Sequence, residues 1–156
     1  MGGSVTDNKQ LVLSWFQAGP SSDAGRAMVT EDFVWHMPRS MASLMNGGDP
    51  DVRGRDAMLH LNAIDKAVYT GGETTFEMTF CIAQGDFVAV QAEIGASSFE
   101  GDPYHNTYVF SFRCRDGKIA EVWENVDTKQ FCDIILGRPE QRDAVEARLA
   151  ELTGTR

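Results

Sequence analysis

The segment EVWENVD, residues 121–127, sets several kinds of polar side chain along one candidate strand. Side chains alternate between the two faces of a strand, so Trp123, Asn125 and Asp127 share a face with Glu121. Glu124 falls on the other face, between two valines. The polar face is either solvated or forms the polar floor of an apolar cavity. In such a cavity Asp127 would have a raised pKa suited to proton exchange near neutral pH.

Asp127 has an equally ordinary structural interpretation. It precedes a candidate helix and has Gln130 three residues later, which is the Asp-x-x-Gln pattern of a helix N-cap. The residues alone leave both roles open.

Two other titratable residues lie on candidate strands. His36 follows Trp35 in the aromatic segment EDFVWHMP, and an imidazole with a pKa of about 6.5 could act as base or proton shuttle. If instead Phe33 and Trp35 point inward, His36 lies on the outer face. Glu93, between Ala92 and Ile94, would either pair with a cavity carboxylate or be an exposed edge-strand residue.

Polar and aromatic residues on the later strands are candidate substrate contacts. Asn106 and Tyr108 share a face with two phenylalanines and could donate hydrogen bonds to a substrate oxygen, although Tyr108 also suits a core position. Trp35, Trp123 and Asn125 complete the predicted substrate-binding set, and the two tryptophans also suit a core.

Motifs for cofactor chemistry are missing from the sequence. It has no Gly-x-Gly-x-x-Gly after a strand, no Walker loop and no Gly-x-Ser-x-Gly elbow. His36, His60 and His105 lie far apart and lack metal-ligand spacing. We therefore expect acid–base chemistry that uses no cofactor and no metal.

Composition indicates a soluble single domain over residues 1–156. The chain is 42% hydrophobic and 24% charged, with a net charge of −9, which argues against nucleic-acid or anionic-membrane partners. No apolar run approaches the roughly 20 residues that span a bilayer. The first residues lack the basic and apolar segments of a signal peptide, so we expect no export. Three unpaired cysteines fit reduced thiols, so we expect a cytoplasmic protein.

Periodicity predicts helices first and strands afterwards. The first helix runs from about Asp7 to Gly19, and a short second helix follows it. Next come the strand of EDFVWHMP, a long loop over 39–53 and a helix over 55–70. From Glu73 the period becomes two, and Thr74, Phe76, Met78, Phe80 and Ile82 alternate with polar residues. Four consecutive strands form an antiparallel meander, with a hairpin at Asp116-Gly117, and two helices follow. This order predicts an α+β domain whose helices cover one face of the sheet around an apolar pocket.

The segment YHNTYVFSFRCRDGKIAEVWENVDTKQF, residues 104–131, resembles the SnoaL-like branch of the nuclear-transport-factor-2-like superfamily. EDFVWHMP, the GRDA that opens the helix over 55–70, and the helix-first order resemble it too. This branch includes ketosteroid isomerases, polyketide cyclases and limonene epoxide hydrolases. The resemblance implies a cone-shaped curved sheet around a cavity over about residues 7–137, with 138–156 as a C-terminal helical extension. It also implies a homodimer through the outer face of the sheet.

The limonene epoxide hydrolase pattern is the closest template by residue. Its aspartate, eight residues after the isoleucine of the Asp-Gly-x-Ile turn, corresponds to Asp127. Its strand asparagine corresponds to His36 and its strand aspartate to Glu93, while its tyrosine and arginine are lost. The resemblance thus implies catalytic roles for Asp127, His36 and Glu93. From their strand face, we expect Asn106 and Tyr108 to stabilise an oxyanion.

The expected function is a cofactor-independent isomerase, cyclase, dehydratase or lyase. Its substrate would be small, hydrophobic, oxygenated and most suitably aromatic. The alternatives are an epoxide hydrolase, in which Asp127 and Glu93 activate water, and a non-catalytic ligand-binding module.

Overall fold

Helices and strands follow one another in the order that periodicity predicts. The computed structural model describes residues 5–98 and 100–154, except the side chains of 5, 6, 43, 44 and 70–73. The helices are α1 (Val5–Ala18), α2 (Asp23–Ala27), α3 (Arg39–Met45), α4 (Ala57–Val68), α5 (Thr128–Ile135) and α6 (Pro139–Thr153). The strands are β1 (Val29–His36), β2 (Asp51–Arg53), β3 (Tyr69–Gln84), β4 (Phe87–Ser98), β5 (Pro103–Arg115) and β6 (Lys118–Val126).

The six strands form one mixed sheet in the order β2-β1-β6-β5-β4-β3. Strands β3 to β6 pair antiparallel with their neighbours, which confirms the predicted meander. Strand β1 adds a parallel pairing to β6, and β2 pairs antiparallel with β1. Asp116 and Gly117 both have positive φ, 52° and 73°, as a tight hairpin turn requires. The α+β prediction is confirmed.

Helices cover one face of the sheet, here called the inner face. Trp15 of α1 packs edge-on against Phe112 of β5, with ring centroids 5.7 Å apart. Phe131 of α5 makes a similar edge contact with Tyr104 at 6.0 Å. Trp15, Phe112 and Phe131 are almost fully buried, so the core lies between the inner face and the helices.

The C-terminal extension packs on α4. Val145 and Gln141 of α6 are buried, and the Arg148 guanidinium donates from Nε to the Lys66 carbonyl at 2.9 Å. Helix α6 therefore supports a helix that borders the cavity described below.

The predicted loop over 39–53 was wrong in part. Residues 39–45 form α3 and 51–53 form β2, and only the turn around Gly47-Gly48 is irregular. Met41 and Met45 lie one helical turn apart and are both buried, and Val52 pairs with Trp35. Burial of these apolar side chains explains why a segment with strong turn signals still forms regular structure.

A β-bulge in β3 changes which side chains face inward. Phe76 and Met78 lie opposite inner-face residues of β4, but the register shifts between Met78 and Phe80. Beyond that shift, Phe80 and Ile82 point outward and are 40% and 62% exposed. The predicted single alternation through β3 was therefore wrong, because an extra residue in a strand reverses the faces that follow it.

Among the residues that the structure describes, no helix is long and apolar enough to cross a membrane.

Candidate functional site

A cavity lies between the inner face of the sheet and helices α1, α3 and α4. It has an inner lobe of about 140 Å³ and an outer lobe of about 360 Å³ that opens to solvent. Both lobes share a set of lining residues and are therefore parts of one space: Trp35, Met58, Leu61, Asp65, Thr74, Ile94 and Phe110.

Most of the cavity wall is apolar, and much of it consists of flexible methionine side chains. Met41 and Met45 of α3, Met58 of α4, and Met37, which follows β1, line the inner lobe. Unbranched thioether side chains adapt their shape and make favourable contacts with aromatic rings. The sheet contributes the indole of Trp35 and the rings of β5. Such a wall suits a flat, apolar ligand.

Glu124 places a carboxyl group in this apolar space. It projects from the inner face of β6, and its Oε2 accepts a hydrogen bond from Nε1 of Trp35 at 2.9 Å. Burial raises the pKa of Glu124 to about 7; the nearby charge of Asp65 adds to the rise, and the Trp35 hydrogen bond opposes it. A carboxyl group that titrates near neutral pH can both accept and return a proton under ordinary conditions.

Asp65 supplies a second carboxyl group, from α4. The surrounding protein raises the pKa of Asp65 to about 6 through desolvation, although the residue is exposed to solvent. These two observations differ because Asp65 lines both lobes, so water reaches it through the cavity while protein surrounds it otherwise. Among the described residues it has no hydrogen-bond or ion-pair partner for its carboxylate.

Three buried tyrosines form a hydrogen-bonded chain that ends at the cavity. The amide of Asn106 donates to the Tyr104 hydroxyl at 2.9 Å and to the Asp127 carbonyl at 3.0 Å. The Tyr104 and Tyr108 hydroxyls are 2.8 Å apart, and either can donate to the other. When Tyr104 donates, Tyr108, which lines the inner lobe and lies 3.5 Å from the Tyr69 hydroxyl, is left as a donor toward that hydroxyl or the cavity.

The tyrosines stay protonated at ordinary pH. Burial raises the pKa of Tyr108 well above its usual value, and burial likewise raises the pKa of Tyr69 and of Tyr104. Tyr108 is therefore suited to donate a hydrogen bond to a ligand oxygen, and unsuited to act as a base.

Asp127 lies outside the cavity, so the expectation that it occupies the cavity floor was wrong. It is exposed and caps α5, accepting from the backbone amides of Lys129 at 3.1 Å and Gln130 at 3.2 Å. The first amides of a helix lack partners within the helix, and an aspartate at this position satisfies two of them.

His36 lies on the outer face of the sheet. Its Nδ1 is 2.7 Å from Asp51 and its Nε2 is 3.2 Å from Glu121, and its ring stacks on Trp123 with centroids 5.0 Å apart. Phe33 and Trp35 point inward instead. The burial of these large aromatic rings decides the parity of β1, so His36 has no access to the cavity.

Glu93 and Asn125 also project from the outer face. The hydroxyl of Thr107 donates to Glu93 at 2.9 Å, and Asn125 is exposed. The structure therefore does not bring Asp127, His36 and Glu93 together, and catalytic roles for them stay predictions that the cavity does not support.

Of the predicted substrate-binding residues, two line the cavity and one supports it. Trp35 and Tyr108 contribute to the wall, and Asn106 lies behind Tyr108 in the hydrogen-bonded chain. Trp123 and Asn125 lie on the other side of the sheet.

Within the described part of the chain, no group of three or more His, Cys, Asp or Glu is arranged to hold a metal ion.

Comparison with known proteins gives the family. The SnoaL-like domain model matches residues 14–122, more than half of the chain. The protein belongs to the SnoaL-like domain family. No curated protein sequence matches it.

Solved structures with the same fold are distant in sequence from this SnoaL-like protein. A proposed SnoaL-like polyketide cyclase from Jannaschia sp. CCS1 is 18% identical, with a TM-score of 0.70 over 88% of this chain and 97% of the other. IdmH, a proposed polyketide cyclase from Streptomyces antibioticus, is 22% identical, with a TM-score of 0.64 over 84% and 99%. A protein with a ketosteroid isomerase-like fold from Catenulispora acidiphila, in complex with trimethylamine, is 18% identical, with a TM-score of 0.59 over 74% and 84%. These likenesses establish the nuclear-transport-factor-2-like fold for the SnoaL-like chain.

Sequence reasoning missed Glu124 and Asp65, although each carries a detectable signal. Glu124 lies between Val122 and Val126 on an apolar strand face, and Asp65 lies four residues after Leu61 on the apolar side of α4. A carboxyl group on a face that must be buried is costly unless it serves the site. In this SnoaL-like protein those two positions supply the carboxyl groups of the cavity.

Proposed function

We propose that this SnoaL-like protein is an enzyme that moves a proton on a small, largely apolar, oxygenated molecule. Its reaction would be of the isomerase, cyclase, dehydratase or lyase type. The observation that carries the proposal is Glu124, a half-buried carboxyl group with a pKa of about 7 that faces an aromatic cavity. Family membership and the two neighbours proposed to be polyketide cyclases support it.

In the proposed reaction Glu124 acts as the base. Its carboxylate takes a proton from the carbon next to a carbonyl group, the C–H bond breaks, and the electron pair moves onto the carbonyl oxygen. Tyr108 donates a hydrogen bond to that oxyanion, and it is free to do so when Tyr104, which accepts from Asn106, donates to the Tyr108 oxygen.

The fate of the resulting enolate determines the reaction type. If Glu124 returns the proton to a different carbon, the product is an isomer. If the enolate carbon attacks a second carbonyl in the same molecule, a ring forms and Glu124 returns its proton to the new alkoxide. If a hydroxyl group leaves from the adjacent carbon with that proton, water is eliminated. All three outcomes need the same residues and no cofactor.

Asp65 tunes this chemistry. Burial is the main cause of the raised pKa of Glu124, and the charge of Asp65 adds to it, which brings the base strength of Glu124 close to neutral pH. A base whose pKa lies near the working pH combines a useful deprotonated fraction with a useful affinity for the proton.

The epoxide hydrolase alternative requires Asp127 and Glu93 to activate water in the cavity. Both residues lie away from the cavity, so the structure does not support this alternative. A non-catalytic binding module is favoured by one observation, the four-methionine wall, because soft walls accept varied ligands.

Deuterium exchange tests the proposal. 2-Tetralone, a flat aromatic ketone with acidic α-protons, is incubated with the protein in D₂O and followed by proton NMR. We expect exchange well above the buffer rate, and a loss of roughly 100-fold or more in Glu124→Gln, as for removal of a general base. Glu93→Gln, the same chemical change on the outer face, is the matched control and should keep the wild-type rate. Equal rates for wild type and E124Q across a panel of ketones that bind would instead support the binding module.

We further propose that the outer face binds a second copy of the chain. Phe80, Ile82 and Phe87 are 40%, 62% and 53% exposed and lie close together on paired strands β3 and β4. The other end of that face carries charges of both signs, including Arg113 paired with Glu121. In a two-fold dimer the same patch meets itself, so an apolar region next to mixed charge suits a second copy.

A further inference from the structure

We propose that the ligand of this cavity carries a cationic amine, which Asp65 and the aromatic wall hold where the two lobes meet. The inference names the substrate class of the proposed enzyme and so rests on the function proposed above. The ligand would be a small apolar ammonium compound, with an oxygen function near the positive charge.

The ionic charge of the cavity lining is negative only, among the described residues. Asp65 and Glu124 are the ionisable acids among the described lining residues, and that lining includes no lysine, arginine or histidine. The remaining titratable groups at the wall are tyrosines, which burial keeps neutral. An anionic ligand would meet repulsion here and find no cation to pair with, whereas a cationic ligand would neutralise the site.

Asp65 lacks a partner inside the protein. A carboxylate bordered by apolar groups is more stable with a hydrogen bond or an opposite charge, and within the described chain Asp65, an exposed residue that lines both lobes, has neither. Glu124 differs, since Trp35 donates to one of its oxygens. A ligand that brings its own positive charge would supply what Asp65 lacks.

The wall around the carboxyl groups suits an alkylated ammonium group. The ring of Phe110 lies 5.8 Å from that of Trp35 and stacks on that of Tyr108 at 5.7 Å, so an electron-rich aromatic surface borders the inner lobe. Aromatic faces attract cations, and tryptophan and tyrosine do so more strongly than phenylalanine. Alkyl groups on the nitrogen would contact the methionine side chains opposite.

The positions of the two carboxyl groups divide their roles. Asp65 lines both lobes, and Glu124 lines the inner lobe. Asp65 would therefore hold the ammonium group at the junction, while Glu124 remains free to move the proton on the part of the ligand that reaches inward. Asp65 would then select the substrate, and Glu124 would act on it.

Binding of three matched probes tests the inference. Phenyltrimethylammonium, its uncharged isostere tert-butylbenzene, and benzoate are titrated into the wild-type protein at pH 8.5 and low salt, with NMR chemical shifts as the readout. We expect phenyltrimethylammonium to bind at least tenfold more tightly than tert-butylbenzene and benzoate to bind more weakly than both. Similar affinities for the cation and its isostere would overturn the inference.

Substitutions assign the effect to Asp65. Asp65→Asn should weaken phenyltrimethylammonium binding at least tenfold and leave tert-butylbenzene binding unchanged. Asp143→Asn, at an exposed position on α6, alters the net charge equally and should change neither. A loss of cation binding in D143N as large as in D65N would show a general charge effect and contradict the inference.

The outcomes separate this inference from the proposed function. If the protein exchanges deuterium into a neutral ketone but does not bind phenyltrimethylammonium more tightly than tert-butylbenzene, the inference is refuted. The proposal that the protein is an enzyme then still stands. A preference for the cation that depends on Asp65, without exchange of any ketone, would refute the enzyme and leave a cation-binding cavity.

Discussion

Replacing Glu124 by glutamine should stabilise the protein above pH 7 and lose that advantage in acid. Burial raises the pKa of Glu124 from 4.5 in the unfolded chain to about 7 in the folded one. The folded protein therefore binds more protons between these values, and its stability falls as the pH rises through them. A shift of this size corresponds to about 3 kcal/mol of destabilisation when the group is fully ionised.

Glutamine removes the charge at position 124 but adds amide hydrogens that lack hydrogen-bond partners. Its carbonyl oxygen can still accept from Trp35, while its amide hydrogens need new partners, at a cost of about 1 kcal/mol. We expect a net gain of roughly 2 kcal/mol at pH 8, which in a domain of this size raises Tm by about 4–8 °C. At pH 4.5 the carboxyl group is protonated in the folded state, so the gain should vanish.

Thermal unfolding followed by circular dichroism from pH 4.5 to 8.5 measures this difference. The Tm curves of wild type and E124Q should separate as the pH passes from about 5 to 7, with the variant higher on the alkaline side. Glu93→Gln, on the opposite face of the sheet, should show no such separation. The reasoning is refuted if E124Q is equally or less stable than wild type at pH 8.

Other variants test other parts of the structure. Asp127→Ala should lower Tm by roughly 2–4 °C through loss of about 1 kcal/mol of capping, and it should leave deuterium exchange within twofold; a loss of exchange at unchanged Tm would restore Asp127 as a catalyst. Tyr108→Phe should slow exchange by roughly 100-fold, the usual cost of one oxyanion donor, with little change in phenyltrimethylammonium binding; an unchanged rate would remove Tyr108 from the mechanism. Ile82→Lys should convert a dimer to a monomer in sedimentation velocity, since it places charges at an apolar patch that meets itself; wild type that sediments as a monomer would contradict the second-copy proposal.

Local signals predicted the fold well because they depend on neighbouring residues. The Asp116-Gly117 turn, the strands around it and the helix-first order each follow from short-range patterns. The ends of elements were less predictable. Helix α4 stops at Val68, and Tyr69 already begins β3, where its ring is buried beside the cavity.

The face of a strand that turns inward could not be read from the strand alone. Both faces of EVWENVD carry carboxyl groups, so alternation by itself cannot distinguish Glu124 from Asp127. The helices that cover the inner face settle the choice, and they favour the side with the two valines. In β1 the same argument places Trp35 inward and His36 outward. A preference for the more apolar face would have found Glu124.

Long-range events account for the remaining differences. The bulge in β3 arises from pairing with β4 and turns Phe80 and Ile82 outward, where the sequence predicts a continuous inner face. Asp65 appears on a helix as an ordinary polar residue, and only the approach of the sheet makes it part of a cavity wall.

Carbon-13 NMR titration of the glutamate side-chain carboxyl groups tests the central claim most directly. E124Q identifies the Glu124 signal by its loss, and the signal is followed from pH 3 to pH 9. A titration midpoint of about 7 is the expected result and would establish a buried carboxyl group poised for proton transfer. A midpoint near the ordinary value of 4.5 would contradict the account, because Glu124 would then be a solvated carboxylate too weak as a base for the proposed chemistry.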